Sequence, residues 1–414
     1  MNITRRKAAL AIAGAATLPT AITSAFAAAP AKTTTYLVPS LSDFSGPFAS
    51  VMPLFAGGRD SVGKWWNTEV GSKIGVQLDI KAYDTRYDTA QTASLWPGIL
   101  AAKPLIGFAL GGPDTAALQQ RLPNDKVVMI LGSASNGFGW RPNQWVLSTR
   151  PTFVHELAGF VEWFQKNKAG GTRPVKMALV TTEASPTFAD IGRGMQAWAK
   201  ANPKTIELVE VVYAEVAPAD LTLQVRRVLN AGAEAIIAPA SPQQAVAVRR
   251  AMTALGKNVP IVYSMHNSPT FLDKAMGGMQ TCEGDYEAQS GVITSVDPTE
   301  SKKFYDLMVE KYGLKQGWSS ILGAGMGQAI LICRAVEAAA KKHGPDKLTG
   351  EIMHQTLMEN TFTSKELFGF ANDISYSIAA PFPVYNPKVN IGQVKGGKMT
   401  TVATGVAIPK LERW

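Results

Sequence analysis

The chain has 414 residues, 46% hydrophobic and 18% charged, with 41 Lys and Arg against 32 Asp and Glu for a formal net charge of +9. That balance suits a globular protein and excludes a disordered one. The basic residues are scattered and form no arginine-rich arm, so no nucleic-acid partner is expected.

At the N-terminus a basic head, Arg5-Arg6-Lys7, precedes an apolar run from Ala8 to Ala16, and the segment closes on Ala25-Phe26-Ala27. This is the three-part layout of a secretory signal peptide over residues 1–27, too short to span a membrane as a folded helix. Thr4-Arg5-Arg6 is also similar to a twin-arginine export signal, while Lys7-Ala8-Ala9-Leu10 lacks the usual apolar pair, so the Sec and twin-arginine routes both stay open. Removing 27 of the 414 residues leaves 387 with a charge of +6, enough chain for two or more cores. Beyond the leader no stretch approaches about eighteen uninterrupted apolar residues, and a soluble, periplasmic protein is expected.

From Thr35 onward short apolar runs alternate with longer amphipathic ones. Strands are predicted at Thr35–Leu41, Val76–Tyr83, Leu105–Leu110, Val127–Leu131, Val175–Thr181, Ile206–Tyr213, Ala235–Ala238, Ile261–Ser264 and Met279–Tyr286. Helices are predicted between most of them, at Ala49–Glu69, Thr89–Ala101, Asp114–Leu122, Thr152–Lys168, Phe188–Ala201, Ala219–Ala231, Pro242–Leu255 and Ser268–Ala275. Such alternation reads as βαβ units, hence parallel sheets wrapped in helices. Nine strands exceed one comfortable open sheet, which points to two α/β lobes. The last third differs: helices are expected at Glu300–Tyr312, Ser319–Lys342 and Gly350–Glu359, then short strands around Phe368, Val384, Val389–Val394 and Thr400–Val406. Lys395-Gly396-Gly397-Lys398 suggests a hairpin turn between the last two.

Signatures of catalysis are poor. His155-Glu156 has no second His four residues after the first, so the zinc-protease helix is absent. Gly132-Ser133-Ala134-Ser135-Asn136 fails the Gly-x-Ser-x-Gly elbow. Gly323-Ala324-Gly325-Met326-Gly327 lies inside a helical run without a preceding strand, and close helix packing is the better reading of its glycines. No cofactor or metal is implied. Cys282 and Cys333 could pair in an oxidising compartment, but their spacing does not demand it, and two separate buried thiols are the simpler reading.

Binding is better supported. In open α/β sheets a ligand sits outside the carboxyl ends of the strands, against helix N-termini. Four segments have that form: Ser42-Asp43-Phe44-Ser45-Gly46-Pro47, Gly111-Gly112-Pro113-Asp114-Thr115, Gly132 to Asn136, and Ser264-Met265-His266-Asn267-Ser268. Singly each is an ordinary loop; their recurrence after strands one, three, four and eight carries the inference.

With Leu41 to Pro47, Tyr83-Asp84-Thr85, Gly111 to Thr115, Phe188 to Gly194, Ala240-Ser241-Pro242-Gln243, Tyr263 to His266 and the closing Gly392–Lys398 hairpin, the chain resembles the periplasmic branched-chain amino-acid-binding proteins of ABC uptake systems. The resemblance covers essentially the whole mature chain. It implies a type I periplasmic-binding-protein fold: two doubly wound parallel-sheet lobes joined by three crossovers. The expected limits are residues 33–149 and 291–377 for the first lobe, 150–290 and 378–414 for the second. It also implies a monomer that binds one small-molecule solute in the cleft and delivers it to a membrane permease, without turnover.

By the same resemblance Ser45, Gly111, Gly112, Asp114, Thr115, Ser133, Ala134 and Ser135 stand where the first lobe holds a carboxylate. In the second lobe the matching positions are Phe188, Ala240 and His266, with Trp140 and Phe138 on a nearby loop. Ala240 replaces a common tyrosine, and no acid accompanies Tyr263 to His266 to receive an ammonium group. The expected solute is therefore a carboxylate with an apolar or aromatic body, not a simple aliphatic amino acid, unless Glu183, Asp190 or Asp285 reaches the cleft. A ligand-sensing subunit of a signalling system would use the same fold; a neighbouring kinase gene, in place of permease and ATPase genes, would mark it. A secreted hydrolase would differ by turnover.

Overall fold

Two mainly parallel sheets organise the computed structural model, which describes residues 33–295, 297–383 and 386–414. The expected leader over residues 1–27 and the short strand expected around Val384 lie outside the described residues. In the first lobe β1 (Thr34–Ser42), β2 (Val76–Asp84), β3 (Ile106–Ala109), β4 (Val128–Leu131) and β5 (Val146–Ser148) run parallel in the order β2-β1-β3-β4-β5. β3 and β4 are buried at every position, as central parallel strands covered by helices on both faces must be. In the second lobe β6 (Val175–Thr181), β7 (Ile206–Tyr213), β8 (Ala235–Ile237), β9 (Ile261–Tyr263), β10 (Tyr286–Gln289), β11 (Lys388–Lys395) and β12 (Lys398–Ala407) take the order β12-β11-β10-β9-β8-β6-β7. The β11–β12 hairpin, turning at Gly396 and Gly397, adds the antiparallel edge.

The chain crosses between the lobes three times: after β5 at residues 149–151, after β10 at 290–293, and between Tyr376 and β11. Polar contacts stitch these crossings. Arg150 on the first donates from Nε and Nη2 to Glu156 at 2.8 and 2.5 Å, and Ser290 N–H on the second donates to the same carboxylate at 2.6 Å. Asn372 and Asn390 reach the carbonyls of Ser290 and Gly291, and the Tyr376 hydroxyl donates to Ser148 O.

Helix Ser320–His343 is the main buttress of the first lobe. It is long and apolar enough to cross a membrane, but 78% of its apolar window is buried inside the fold, so that surface is core. Its glycines serve packing, as expected: a Cβ on Gly325 would overlap the Phe55 carbonyl of helix Met52–Trp66, and one on the facing Gly58 would lie 2.6 Å from Leu322 O. Gly325→Val is expected to lower unfolding stability by about 1–3 kcal/mol through overpacking of this crossing, measured as a lower urea midpoint at unchanged slope.

Three local expectations fail for legible reasons. Met279–Cys282 is a turn and not the start of β10, because Gly277, Gly278 and Gly284 all take positive φ and break an extended run. Phe368 makes no strand; at φ 51° it turns the chain and stacks on Phe304 at 4.2 Å. The stretch expected as Asp114–Leu122 is two helices, Gly112–Leu118 and Leu122–Asp125. Cys282 and Cys333 are both free and buried, one in each lobe's core.

Candidate functional site

Loops from the carboxyl ends of both sheets meet in a ring of aromatic side chains. After β1, the buried Asp43 carboxylate accepts from Gly46 N–H and Phe48 N–H, at 2.5 and 2.8 Å, and so fixes the loop that carries Phe48. After β2, Asp84 accepts from Phe44 N–H and Arg86 N–H, and the following Tyr87 has φ 54°. A bulky residue at positive φ is held there only by its surroundings, a common mark of a working site. Tyr87 lies against Phe48 at 4.6 Å between ring centroids.

The second lobe answers with Phe153, the first residue of helix Phe153–Lys168, Phe188 near the start of helix Pro186–Ala201, and His266 after β9. Phe188 stacks on His266 at 5.9 Å, and Phe153 meets His266 edge-on at 5.6 Å. Across the lobes Phe48 comes within 6.4 Å of Phe188 and 5.8 Å of His266. These are the separations at which aromatic pairs gain energy beyond area burial.

The rings enclose a cavity that Phe55, Leu110, Ser133, Met265 and Ile321 complete. The cavity measures ≈ 30 Å³, room for little more than water. A larger guest enters only if the lobes part or the rings turn. No Asp or Glu lines this cavity. Asp285 binds Arg249, Ile261 N–H and the Tyr263 hydroxyl inside the second lobe; Asp190 accepts from Gly137 N–H and the Trp414 indole; Glu183 lines an outer pocket. Glu287, fully buried, accepts from Ser320 Oγ at 2.8 Å with both oxygens.

Of the residues singled out from sequence, Ser133, Phe188 and His266 line the cavity. Gly111 backs onto the Tyr87 ring, and Gly112 faces Thr187 of the opposite lobe. Others are turned elsewhere. Asp114 is buried and accepts from Leu110 and Gly111 N–H and from Thr92 Oγ1, so it occupies the Gly111 amide that the sequence reading offered to an anion. Burial raises its pKa, and those bonds oppose the rise. Thr115 Oγ1 donates to Gly111 O, Ser45 Oγ donates to Asp84, and Ser135 N–H donates to Pro151 O. Ala134 is core, and Ala240 contributes its carbonyl to His266. Trp140 packs with His155, Phe382 and Trp414, away from the cavity, because its loop folds against the C-terminus.

Behind Phe55 lies Arg59, 0% exposed, its guanidinium 4.3 Å from that ring. Its hydrogen-bond partners are Gln328, Ser40 and the carbonyls of Leu41 and Ala109, all neutral. Burial pulls its pKa down to about 9, against the raising influence of Asp114 and Asp60, which leaves it a cation at neutral pH.

Burial likewise lowers His266 and His155 to about 4, so both are neutral at pH 7. The unfolded chain takes up these protons near pH 6.5 and the folded chain resists until about 4, so the stability they contribute is full above 6.5 and lost as pH falls toward 4. Each adds a slope of about 1.4 kcal/mol per pH unit in that window. Urea unfolding of His155→Gln between pH 7 and 4.5 is expected to show that much less acid sensitivity.

Two α/β lobes with an apolar cleft between their strand ends make an architecture suited to holding a ligand between the lobes. The chain belongs to the periplasmic binding protein family, whose profile matches residues 35–385. Solved structures of similar fold include a branched-chain amino-acid ABC transporter protein from Thermus thermophilus with bound valine, at 17% identity and a TM-score of 0.78, covering 90% of this chain and 96% of that one. A fatty-acid ABC transporter substrate-binding protein from Thermomonospora curvata gives 21% identity and 0.73, covering 92% and 94%. A solute-binding protein from R. palustris in complex with 4-hydroxybenzoate gives 18% and 0.71, covering 92% and 99%. A comparison with curated proteins finds no match.

Proposed function

We propose that this is the periplasmic solute-binding component of an ABC importer, and that its solute is a small carboxylate with an aromatic or apolar body. One observation carries the second half: six of the ten residues lining the interlobe cavity are aromatic and none is acidic. A zwitterionic amino acid would leave its ammonium group unpaired there, at a cost of several kcal/mol, a large part of a micromolar affinity of ~8 kcal/mol. An anion is favoured by the buried Arg59 cation behind Phe55. One protein of this fold is solved in complex with 4-hydroxybenzoate and another is described as a fatty-acid transporter protein, which agrees with this class.

The working residues are then Ser133, Phe188 and His266, joined by Phe48, Tyr87 and Phe153. Residues 1–27 direct export, lobes of residues 33–149 with 291–377 and 150–290 with 378–414 close by hinge motion, and a membrane permease reads the closed monomer. Calorimetry of the purified protein with leucine, isoleucine, valine, benzoate, hydroxybenzoates and octanoate tests the reading. Micromolar or tighter binding of an aromatic or fatty acid supports it, and tight binding of leucine alone overturns it.

A further inference from the structure

We infer that His266 reads a hydrogen-bond donor on the solute, so that the solute carries an O–H or N–H on its apolar body in addition to its carboxylate. This rests on the function proposed above. The argument begins with the tautomer. Nε2 of His266 lies 2.8 Å from Ala240 O and 3.0 Å from Pro239 O. Carbonyl oxygens only accept, so Nε2 bears the proton and donates to both. The ring is buried and neutral at pH 7, and Nδ1 is therefore a bare lone pair.

The ring cannot easily turn to exchange the two nitrogens. Asn267 donates to Ala238 O and Ala240 O and accepts from Ser264 N–H, which locks the loops after β8 and β9 together. Phe188 stacks on the imidazole face, and Phe48 and Phe153 close its edges. The same imidazole lines the cavity, and the hydrogen bonds of the described residues give Nδ1 no partner. Of the other residues on the cavity wall only Tyr87 and Ser133 carry a donor, and those hydroxyls donate to Thr187 Oγ1 and Ala134 O. A solute with a donor at this end satisfies Nδ1; one without leaves it buried and unpaired, and a site built in this way rejects the deficient analogue.

The test compares acids of one shape. Calorimetry measures benzoate, its 2-, 3- and 4-hydroxy and 4-amino derivatives, and 4-methoxybenzoate, which fills similar space without a donor. At least one hydroxy or amino acid is expected to bind about tenfold or more tighter than benzoate and methoxybenzoate. In His266→Phe the ratio of affinities between the preferred acid and benzoate should fall to about one, whatever the overall affinity of the variant. Nitrogen-15 NMR supplies a readout that packing alone would not move: the Nδ1 resonance should shift toward lower frequency with the preferred acid and stay unchanged with benzoate. Equal binding of all these acids with an unmoved Nδ1 overturns the inference and leaves the proposed function standing. Binding of none of them, with tight binding of leucine, overturns the proposed function itself.

Discussion

Glu156→Ala is expected to cost about 3–5 kcal/mol of unfolding stability, among the largest single effects outside the apolar cores. Glu156 and Arg150 are 1% and 3% exposed, and the carboxylate holds two crossings at once, through Arg150 and through Ser290 N–H. Removing it strands a nearly buried guanidinium and orphans a buried amide. A buried ion pair need not be strongly stabilising in itself, since desolvation offsets much of its attraction; the damage comes from breaking it on one side. The double variant Arg150→Met with Glu156→Met should therefore lose less than Glu156→Ala alone, because no unpaired charge remains. Glu156→Gln, which keeps an acceptor for Ser290, should fall between. Urea midpoints at constant slope would give the order, and equal losses for single and double variants would show that the pair acts only by filling space.

The framework was legible in the sequence because periodicity is a local property. Thr89–Ala101 and Gly350–Glu359 form where their patterns place them, and Val175–Thr181 and Ile206–Tyr213 do so for the strands. β5 escaped: three residues, Val146–Ser148, are too few to show a period, and pairing with β4 creates the strand. The site was legible where it depends on loop position, as at Ser133, Phe188 and His266. Phe48 and Tyr87 were not. Phe48 is aimed by the Asp43 carboxylate five residues before it, and Tyr87 by a backbone at φ 54°; no residue pattern announces either. A clue to Phe48 was the buried-type aromatic directly after the Ser42–Pro47 turn. Trp140 misled in the opposite sense, since its partner Trp414 lies at the far end of the chain.

Closure itself should be breakable at Gly112. This residue opens the first-lobe helix Gly112–Leu118, and a Cβ there would overlap Thr187 Oγ1 of the second lobe. The same Thr187 oxygen accepts from the Tyr87 hydroxyl at 3.2 Å, and Gln243 Nε2 donates to Pro47 O at 2.9 Å, so these few interlobe contacts define how far the cleft shuts. With the lobes apart, a valine at 112 is clear of Thr187; with them together, it must push Thr187 aside and disturb its bond to Tyr87. Overpacking of this kind costs about 1–3 kcal/mol. Because the cost falls only on the closed form, Gly112→Val is expected to weaken solute binding by roughly 5- to 150-fold while leaving the urea midpoint of the unliganded protein nearly unchanged. Most of the loss should appear as faster dissociation. Thr187→Ala removes the struck oxygen, so Gly112→Ala combined with Thr187→Ala should recover part of the affinity that Gly112→Ala loses, a coupling that a double-mutant cycle measures directly. Small-angle scattering adds the geometric check: the wild type should contract on binding solute, and Gly112→Val should remain expanded at the same occupancy. Contraction of Gly112→Val to the wild-type dimension, or loss of affinity with no rescue by Thr187→Ala, would show that closure does not bring these two residues together.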